Sequence, residues 1–453
     1  MVKKQNIKVI DDIGIDKEET SEKEPIQIDN VEKKEMADLD NIKLNELKAM
    51  LASSKTEVKT EKIVSLKFGV VGLGHAGSRL AEEFYKLGYD AIAINTATQD
   101  LVNIAVPEEN KLFLDVGIQG AAKNLSIGEA AAVQYKEQIQ GLLYNKLSAC
   151  QVIILATSLG GGSGAGSVST VIEIANTTGK PIILMAVLPK ASEDSLTKSN
   201  SLETLSKLSA FVAEGRCQSL ILVDNAKIES INAGIGQMQF YKVANKFIVE
   251  PLDILNVKSM CPSEVKALDS AELSMILLNS TGIITYGSMT VYDYEGELAL
   301  SKAVIDSLQK NMLVSGLDFS KARYAGFILI ANQNVWNKIS TGPIDYCSAI
   351  INDIFGNPES IYKGLYIDND IKEDVVKIIS IAAGLGLPDE RINTLKKEID
   401  AQQINLKAKE IDRTQSLKVD LGKDSTVMTV DRIKKEIAAK MSGFGKLSSL
   451  TKK

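Results

Sequence analysis

From Ser158 to Ser167 the chain reads Ser-Leu-Gly-Gly-Gly-Ser-Gly-Ala-Gly-Ser, with five glycines in the seven residues Gly160 to Gly166. The apolar run Val152 to Ala156 before it reads as a buried strand, and Val168 to Ala175 after it has the pattern of a helix. Glycine loses more backbone entropy on ordering than any other residue, so such a cluster at a strand–helix junction needs a reason. A backbone without Cβ atoms can close around a phosphate and point its N–H groups inward. It also delivers the anion to the positive end of the next helix. A tight turn or a flexible loop would use the same residues, and composition alone does not choose.

The rest of the chain narrows the choice. Its 453 residues are 45% hydrophobic and 24% charged, which suits a globular protein with room for two cores. A net charge of −6 points to no polyanionic partner for the body. Cys150, Cys217, Cys261 and Cys347 are scattered without paired spacing, so a reducing, cytoplasmic setting is expected. No apolar leader follows Met1, and no segment has the length to span a bilayer. His75 is the only histidine, which rules out multi-histidine metal sites and leaves His75 alone for any Ser-His-Asp arrangement. Chemistry here must run on carboxylates, backbone amides and a bound ion.

In chain order, residues 1–64 are charged and free of aromatics, a composition that favours disorder. Within them, Leu39, Ile42, Leu47, Met50 and Leu51 could form a short amphipathic helix, transient or docked on a partner or the body. Strands are expected at Lys67 to Val71, Ala91 to Asn95, Lys111 to Asp115, Val152 to Ala156, Pro181 to Leu188 and Ser219 to Val223. They alternate with helices at Ser78 to Leu87, Tyr135 to Leu147, Val168 to Ala175 and Ser195 to Ala213. Near-continuous apolar strands between helices imply an α/β fold with a parallel sheet covered on both faces. This is the expected nucleotide-binding domain, residues 65–236, with ligands at the carboxyl ends of the strands.

A long central helix, Gln237 to Leu255, opens residues 237–267, and Pro251 should kink or end it. Residues 268–387 read as a smaller α+β domain. Its strands are Gly282 to Tyr292, Tyr324 to Ala331, Ser360 to Ile367 and Val375 to Ala383. A C-terminal helix, residues 388–415, carries Ile392, Leu395, Ile399 and Leu406 on one face. Residues 416–453 form a basic tail with Arg432, Lys434, Lys435, Lys440, Lys446, Lys452 and Lys453.

A second glycine pattern, Gly72-Leu73-Gly74-His75-Ala76-Gly77, follows the first strand. Alone it suggests a dinucleotide site, and a nicotinamide oxidoreductase is one alternative. That reading needs an acid at the end of the second strand to hold ribose, where the chain has Asn95 and Thr96. It also gives the run at Gly160 to Gly166 no task. A mononucleotide lying between two glycine loops uses both. The Gly-Lys-Ser/Thr of a P-loop is absent, so amides, helix N-termini and a cation would meet the phosphate charge.

These stretches resemble the tubulin/FtsZ superfamily of GTP-dependent filament proteins. Gly160-Gly161-Gly162-Ser163-Gly164-Ala165-Gly166 is similar to its Gly-Gly-Gly-Ser/Thr-Gly-Ser/Thr-Gly motif, with Ala165 replacing one hydroxyl residue. Ala93 to Leu101, through Asn95, resembles the segment that follows the family's second strand, with Ala97 where an aspartate is usual. Gly120-Ala121-Ala122-Lys123-Asn124, continuing to Gly128, resembles the loop that senses the γ-phosphate. Pro189 and Glu193 match the ribose loop, without its downstream arginine. Asn225 and Asn245 stand where the family reads guanine, whose edge asks for both a donor and an acceptor. The resemblance covers roughly Lys67 to Gly386. It implies GTP and GDP as ligands, Mg²⁺ as cofactor, and Gly72, Gly74, His75, Ala76 and Gly77 in the phosphate loop with Gly161 to Gly166.

The resemblance further implies that hydrolysis is completed by a neighbouring subunit. The matching carboxylates are Asp269 and Glu272, which one helical turn puts on one face. No protein metal ligands are expected. Self-assembly would be head-to-tail, a contact that does not close and so builds filaments. The long C-terminal helix and basic tail are closer to plasmid- and phage-borne members, which position DNA, than to the cell-division members. Cell division stays open as an alternative role. The tail could engage a DNA-binding adaptor or DNA itself, and a nucleotide-binding adaptor without turnover is a further alternative.

Overall fold

The computed structural model describes residues 62–231 and 237–416. The expected N-terminal extension up to residue 61, its amphipathic stretch, and the tail from residue 417 lie outside the described residues.

The first half runs β1 (Phe68–Leu73), α1 (Gly74–Lys86), β2 (Asp90–Asn95), α2 (Thr98–Val102), β3 (Lys111–Phe113), α3 (Leu125–Gln134) and α4 (Lys136–Lys146). There follow β4 (Val152–Ser158), α5 (Gly162–Asn176), β5 (Ile182–Leu188), α6 (Ser195–Ala213), β6 (Ser219–Asp224) and α7 (Asn225–Ile231). The helix α8 (Gln237–Lys258) leads to α9 (Ser270–Leu278), β7 (Gly282–Val291), α10 (Ala299–Gln309) and β8 (Tyr324–Ala331). The described residues end with α11 (Gln333–Trp336), α12 (Thr341–Ile354), β9 (Ser360–Ile367), β10 (Val376–Leu385) and α13 (Asp389–Ser416).

The ten strands among the described residues form one sheet in the order β3-β2-β1-β4-β5-β6-β7-β10-β8-β9. Strands β1 to β6 are parallel, and β7 joins β6 in parallel register from Ser219↔Gly282 to Ile221↔Ile284. Strand β10 then lies antiparallel between β7 and β8. The strands of both expected domains thus share one ladder.

Alternation explains the apolar runs. In β4, Ile153 and Leu155 enter the core under α4, α5 and α6, while Val152, Ile154 and Ala156 enter the one under α1 and α8. A strand covered on both faces has no polar side to show.

Helix α8 continues through Pro251 to Lys258, past the break expected there. A helix proline costs about 3 kcal/mol. Val249, Leu252 and Leu255, all fully buried around it, more than offset that at about 1.5–3 kcal/mol each. The carbonyl of Ile248, one turn earlier, accepts the buried Tyr286 hydroxyl at 2.9 Å.

The C-terminal helix also departs from expectation. Its apolar face is buried through Leu395 and Ile399, whereas Leu406 is 56% exposed, so the expected apolar face is not buried along its whole length. Among the described residues no helix is long and apolar enough to cross a membrane.

Candidate functional site

Strand order reverses at β1, whose neighbours are β2 and β4, and open α/β sheets bind ligands at such a point. A cleft of about 530 Å³ opens there, at the carboxyl ends of β1, β4, β5 and β6. Of the residues expected to bind nucleotide, His75, Ala76, Lys123, Gly161, Glu193, Asn225 and Asn245 line it.

Both glycine patterns lie partly inside helices. Helix α1 starts at Gly74 and α5 at Gly162, earlier than the expected starts at Ser78 and Val168. Neither has an acidic residue in its first turn, so both positive ends are left for a ligand. His75 and Ala76 of α1 and the N-cap Gly161 of α5 face the cleft from two sides.

The remaining glycines do not line the cleft; they seat protein against protein. A Cβ at Gly77 would lie 2.2 Å from the Ala156 carbonyl oxygen, and one at Gly72 would lie 2.5 Å from that of Gly77. Gly74 has φ +67°, and its Cβ would meet the Gly164 nitrogen at 2.9 Å. Gly162 packs against Asn124, Gly164 against Leu73 and Gly166 against Leu125, all closer than a methyl permits. Ser163 Oγ lies 2.5 Å from Thr96 Oγ1, and Ala165 is buried. The repeating glycines therefore let α5 press against the β1–α1 junction and α3, and Gly160 packs likewise against Thr197 of α6, leaving Gly161 open towards the cleft.

Asn95 is also set behind the wall. It is buried and donates to Asp100 at 2.9 Å, and Asp100 holds His75 Nδ1 at 2.8 Å. The hydrogen bond with His75 keeps the Asp100 carboxyl below its ordinary pKa.

The loop before α3 is strained. Ala122 and Lys123 have φ of +44° and +63°, beside Gly120 at +88°. Such conformations cost about 1–3 kcal/mol each in non-glycine residues and persist only where the surroundings impose them. Asn200 of α6 imposes this one, donating to the Lys123 carbonyl at 2.7 Å and to that of Gly160 at 3.3 Å. The Gly120 N–H donates to Thr96 O at 2.9 Å, and that of Asn124 to Ala121 O at 2.8 Å. Asn124 then caps α3 by accepting from Ser126 N–H at 3.0 Å. The Lys123 ammonium pairs with Asp194, the N-cap of α6. That contact, with help from the Thr197 N–H, lowers the Asp194 pKa to about 2.

Residues at the far side of the cleft suit a planar base. Asn225 opens α7 at the end of β6, and Asn245 lies one turn after Tyr241 on α8. Lys190 Nζ sits 4.7 Å from the Tyr241 ring centre, a cation–π contact. Tyr241, Lys190, Thr197, Arg79 and Glu83 were not among the expected lining residues. Tyr241 precedes Asn245 by four residues, the spacing that places two side chains on one helix face, and that spacing could have found it. Burial raises the Glu83 pKa.

Asp269 and Glu272 are elsewhere. Helix α8 spans about 33 Å, carrying the chain away from the cleft before α9 begins. Its last residue, Lys258, pairs with Asp368 at 3.0 Å, and the turn with both carboxylates follows. The two acids form a capping box at the start of α9, and Lys266 pairs with Glu272 at 3.1 Å.

Among the described residues no group of three His, Cys, Asp or Glu side chains clusters to hold a metal ion. The cleft offers helix N-termini and the side chains of Lys123, Lys190 and Arg79 instead, a donor set for phosphate oxygens. A Mg²⁺ ion bound with a nucleotide would be held chiefly by phosphates and water, as this ion commonly is.

Residues 67–233 match the model of the Tubulin/FtsZ family, GTPase domain. The tubulin-like protein TubZ of Bacillus cereus is 25% identical over 388 residues, covering 77% of this chain and 86% of its own. The tubulin-like protein CetZ of Pyrococcus furiosus is 25% identical over 354 residues, covering 75% and 91%. In structure the chain is similar to TubZ of Bacillus thuringiensis serovar israelensis in a GTPγS-form protofilament. The TM-score is 0.67 at 19% identity, covering 79% of this chain and 96% of that one. The glycine-built cleft at the switch point of this sheet thus lies in a tubulin/FtsZ fold, within the residues 67–233 that match the GTPase domain of the Tubulin/FtsZ family.

Proposed function

We propose that the chain is a filament-forming GTPase that binds GTP in the β1/β4 cleft and completes hydrolysis at the contact between successive copies. The observation that carries this reading is the separation of its parts. The phosphate-suited glycines lie at one end of α8, and the carboxylates Asp269 and Glu272 follow its other end. One copy cannot bring them together, and a head-to-tail pair can. Phosphoryl transfer asks mainly for positioning and charge stabilisation, so two oriented carboxylates beside a bound water suffice. The same contact, repeated without closure, yields a filament.

His75, Ala76 and Gly161 hold the phosphates, Glu193 the ribose, and Asn225 and Asn245 the guanine edge. Lys123 meets the terminal phosphate. The similarity to TubZ supports a role in plasmid or phage DNA positioning, with an adaptor or DNA engaged by the basic tail.

Sedimentation with GTP, GDP and GTPγS tests the reading. GTP should give pelleting that decays with turnover, GTPγS long-lived pellets, and GDP little. Guanine-nucleotide binding without any pelleting would overturn the filament assignment.

A further inference from the structure

The first half of α13 makes a set of polar contacts that covering α6 does not require. Arg391 Nε donates to Asp224 Oδ2 at 2.8 Å and its Nη2 to Oδ1 at 3.2 Å; Nη2 also donates to the Pro189 carbonyl at 3.2 Å. Two turns on, Glu398 pairs with Lys198 at 2.9 Å. The Lys198 ammonium, 1% exposed, also donates to Ala191 O at 2.7 Å. One turn further, Gln402 donates to Glu193 O at 3.0 Å. Spaced by seven and then four residues, Arg391, Glu398 and Gln402 lie along one helix face.

Each of these contacts ends on a residue of the cleft wall or on its neighbour in sequence. Pro189, Ala191 and Glu193 belong to one loop, and Pro189 and Glu193 line the cleft. Asp224 directly precedes Asn225, and its Oδ1 accepts the Ala226 N–H at 3.1 Å, which fixes the first turn of α7. The Arg391–Asp224 pair is buried, with side chains 12% and 5% exposed. A buried ion pair is a poor source of stability, because desolvating both charges costs about as much as their attraction returns. Ile392, Leu395 and Ile399 already supply apolar docking. What the bidentate guanidinium adds is geometric definition.

We propose that Arg391, Glu398 and Gln402 are positioning residues, and that the first half of α13 braces the 189–193 loop and Asn225 in the nucleotide-binding geometry. The inference rests on the nucleotide assignment of the cleft. Linkage then makes the coupling reciprocal: a nucleotide that needs the braced loop also holds the helix in place. Because residues 403–410 of α13 are exposed, cleft occupancy is transmitted to a helix segment that faces solvent.

Hydrogen exchange and GDP and GTPγS binding on the full chain test this with wild type, Arg391→Ala and Gln402→Ala. In wild type, either nucleotide should slow amide exchange across residues 391–402. Arg391→Ala should bind GDP about tenfold or more weakly, within the usual range of allosteric couplings, and lose the nucleotide-dependent protection. Gln402→Ala, which removes one hydrogen bond, should shift both readouts the same way by a few-fold, and it decides the matter if Arg391→Ala does not fold. Wild type that binds GDP with no change in helix exchange, together with variants of wild-type affinity, overturns the brace alone. Wild type that binds neither nucleotide overturns the cleft assignment and the brace with it.

Discussion

Asp269 Oδ1 accepts the backbone N–H of Glu272 at 2.9 Å, while the Glu272 carboxylate accepts that of Asp269 at 3.1 Å. The two acids proposed to serve the neighbouring subunit thus also start α9. Any substitution that removes the cap confuses stability with catalysis. Alanine at Asp269 forfeits about 1 kcal/mol of capping, whereas asparagine caps as well as aspartate. Asp269→Asn and Glu272→Gln should keep the thermal midpoint and GTP binding, lower GTP turnover about tenfold or more, and give persistent filaments. Wild-type turnover in both would remove these residues from the reaction.

The glycine run divides into packing and ligand positions. A Cβ at Gly166 would lie 2.2 Å from the Leu125 carbonyl, so α3 must move. Gly166→Ala should cost about 1–3 kcal/mol, the range for overpacking. Gly161 has φ −84°, and its Cβ would meet only Ser158 Oγ at 3.1 Å, on the cleft wall. Gly161→Ala should leave stability within about 0.5 kcal/mol and weaken nucleotide binding. Denaturant melts and a fluorescent-GDP titration separate the two. Equal effects of both substitutions on both measurements would remove the division.

Lys123 is expected to exchange Asp194 for a terminal phosphate. Lys123→Met should lower affinity for GTPγS more than for GDP, by about tenfold in their ratio. It should also release Asp194, whose carboxyl now titrates near pH 2. A depressed carboxylate pKa contributes stability that is present above its unfolded pKa and is lost as pH falls through the folded one. Wild type should therefore lose this contribution progressively as pH falls from about 4 to about 2, and the variant, lacking most of it, should show a flatter profile there. Melts between pH 2 and 5 follow the shift, and superimposable profiles would show that the pair does not hold Asp194.

Much of the sheet was legible because burial on both faces leaves an unmistakable apolar run: Tyr324–Ala331 and Ser360–Ile367 form strands with the expected bounds. Ser195–Ala213 likewise forms the expected helix, opened by the cap at Asp194. The starts of α1 and α5 were hidden because glycine disfavours a helix interior, and what favours it here is close packing by residues remote in sequence. The capping box was legible in Asp269-Ser270-Ala271-Glu272, a pattern that marks a helix start regardless of any catalytic role. Arg391 could not be assigned to Asp224 from sequence, since nothing local at either residue points to the other.

The base end of the cleft yields the sharpest test of guanine as the ligand. Asn225 and Asn245 each present a donor and an acceptor, which the guanine edge satisfies and the adenine edge reverses. Leaving a buried polar partner unpaired costs about 1–3 kcal/mol, or roughly tenfold to a hundredfold in affinity. Asn225→Leu and Asn245→Leu should each weaken GTP binding by about that much and leave ATP binding unmoved. Competition titrations against fluorescent GDP measure both. If wild type binds ATP as tightly as GTP, the asparagines are structural caps and the base is read elsewhere.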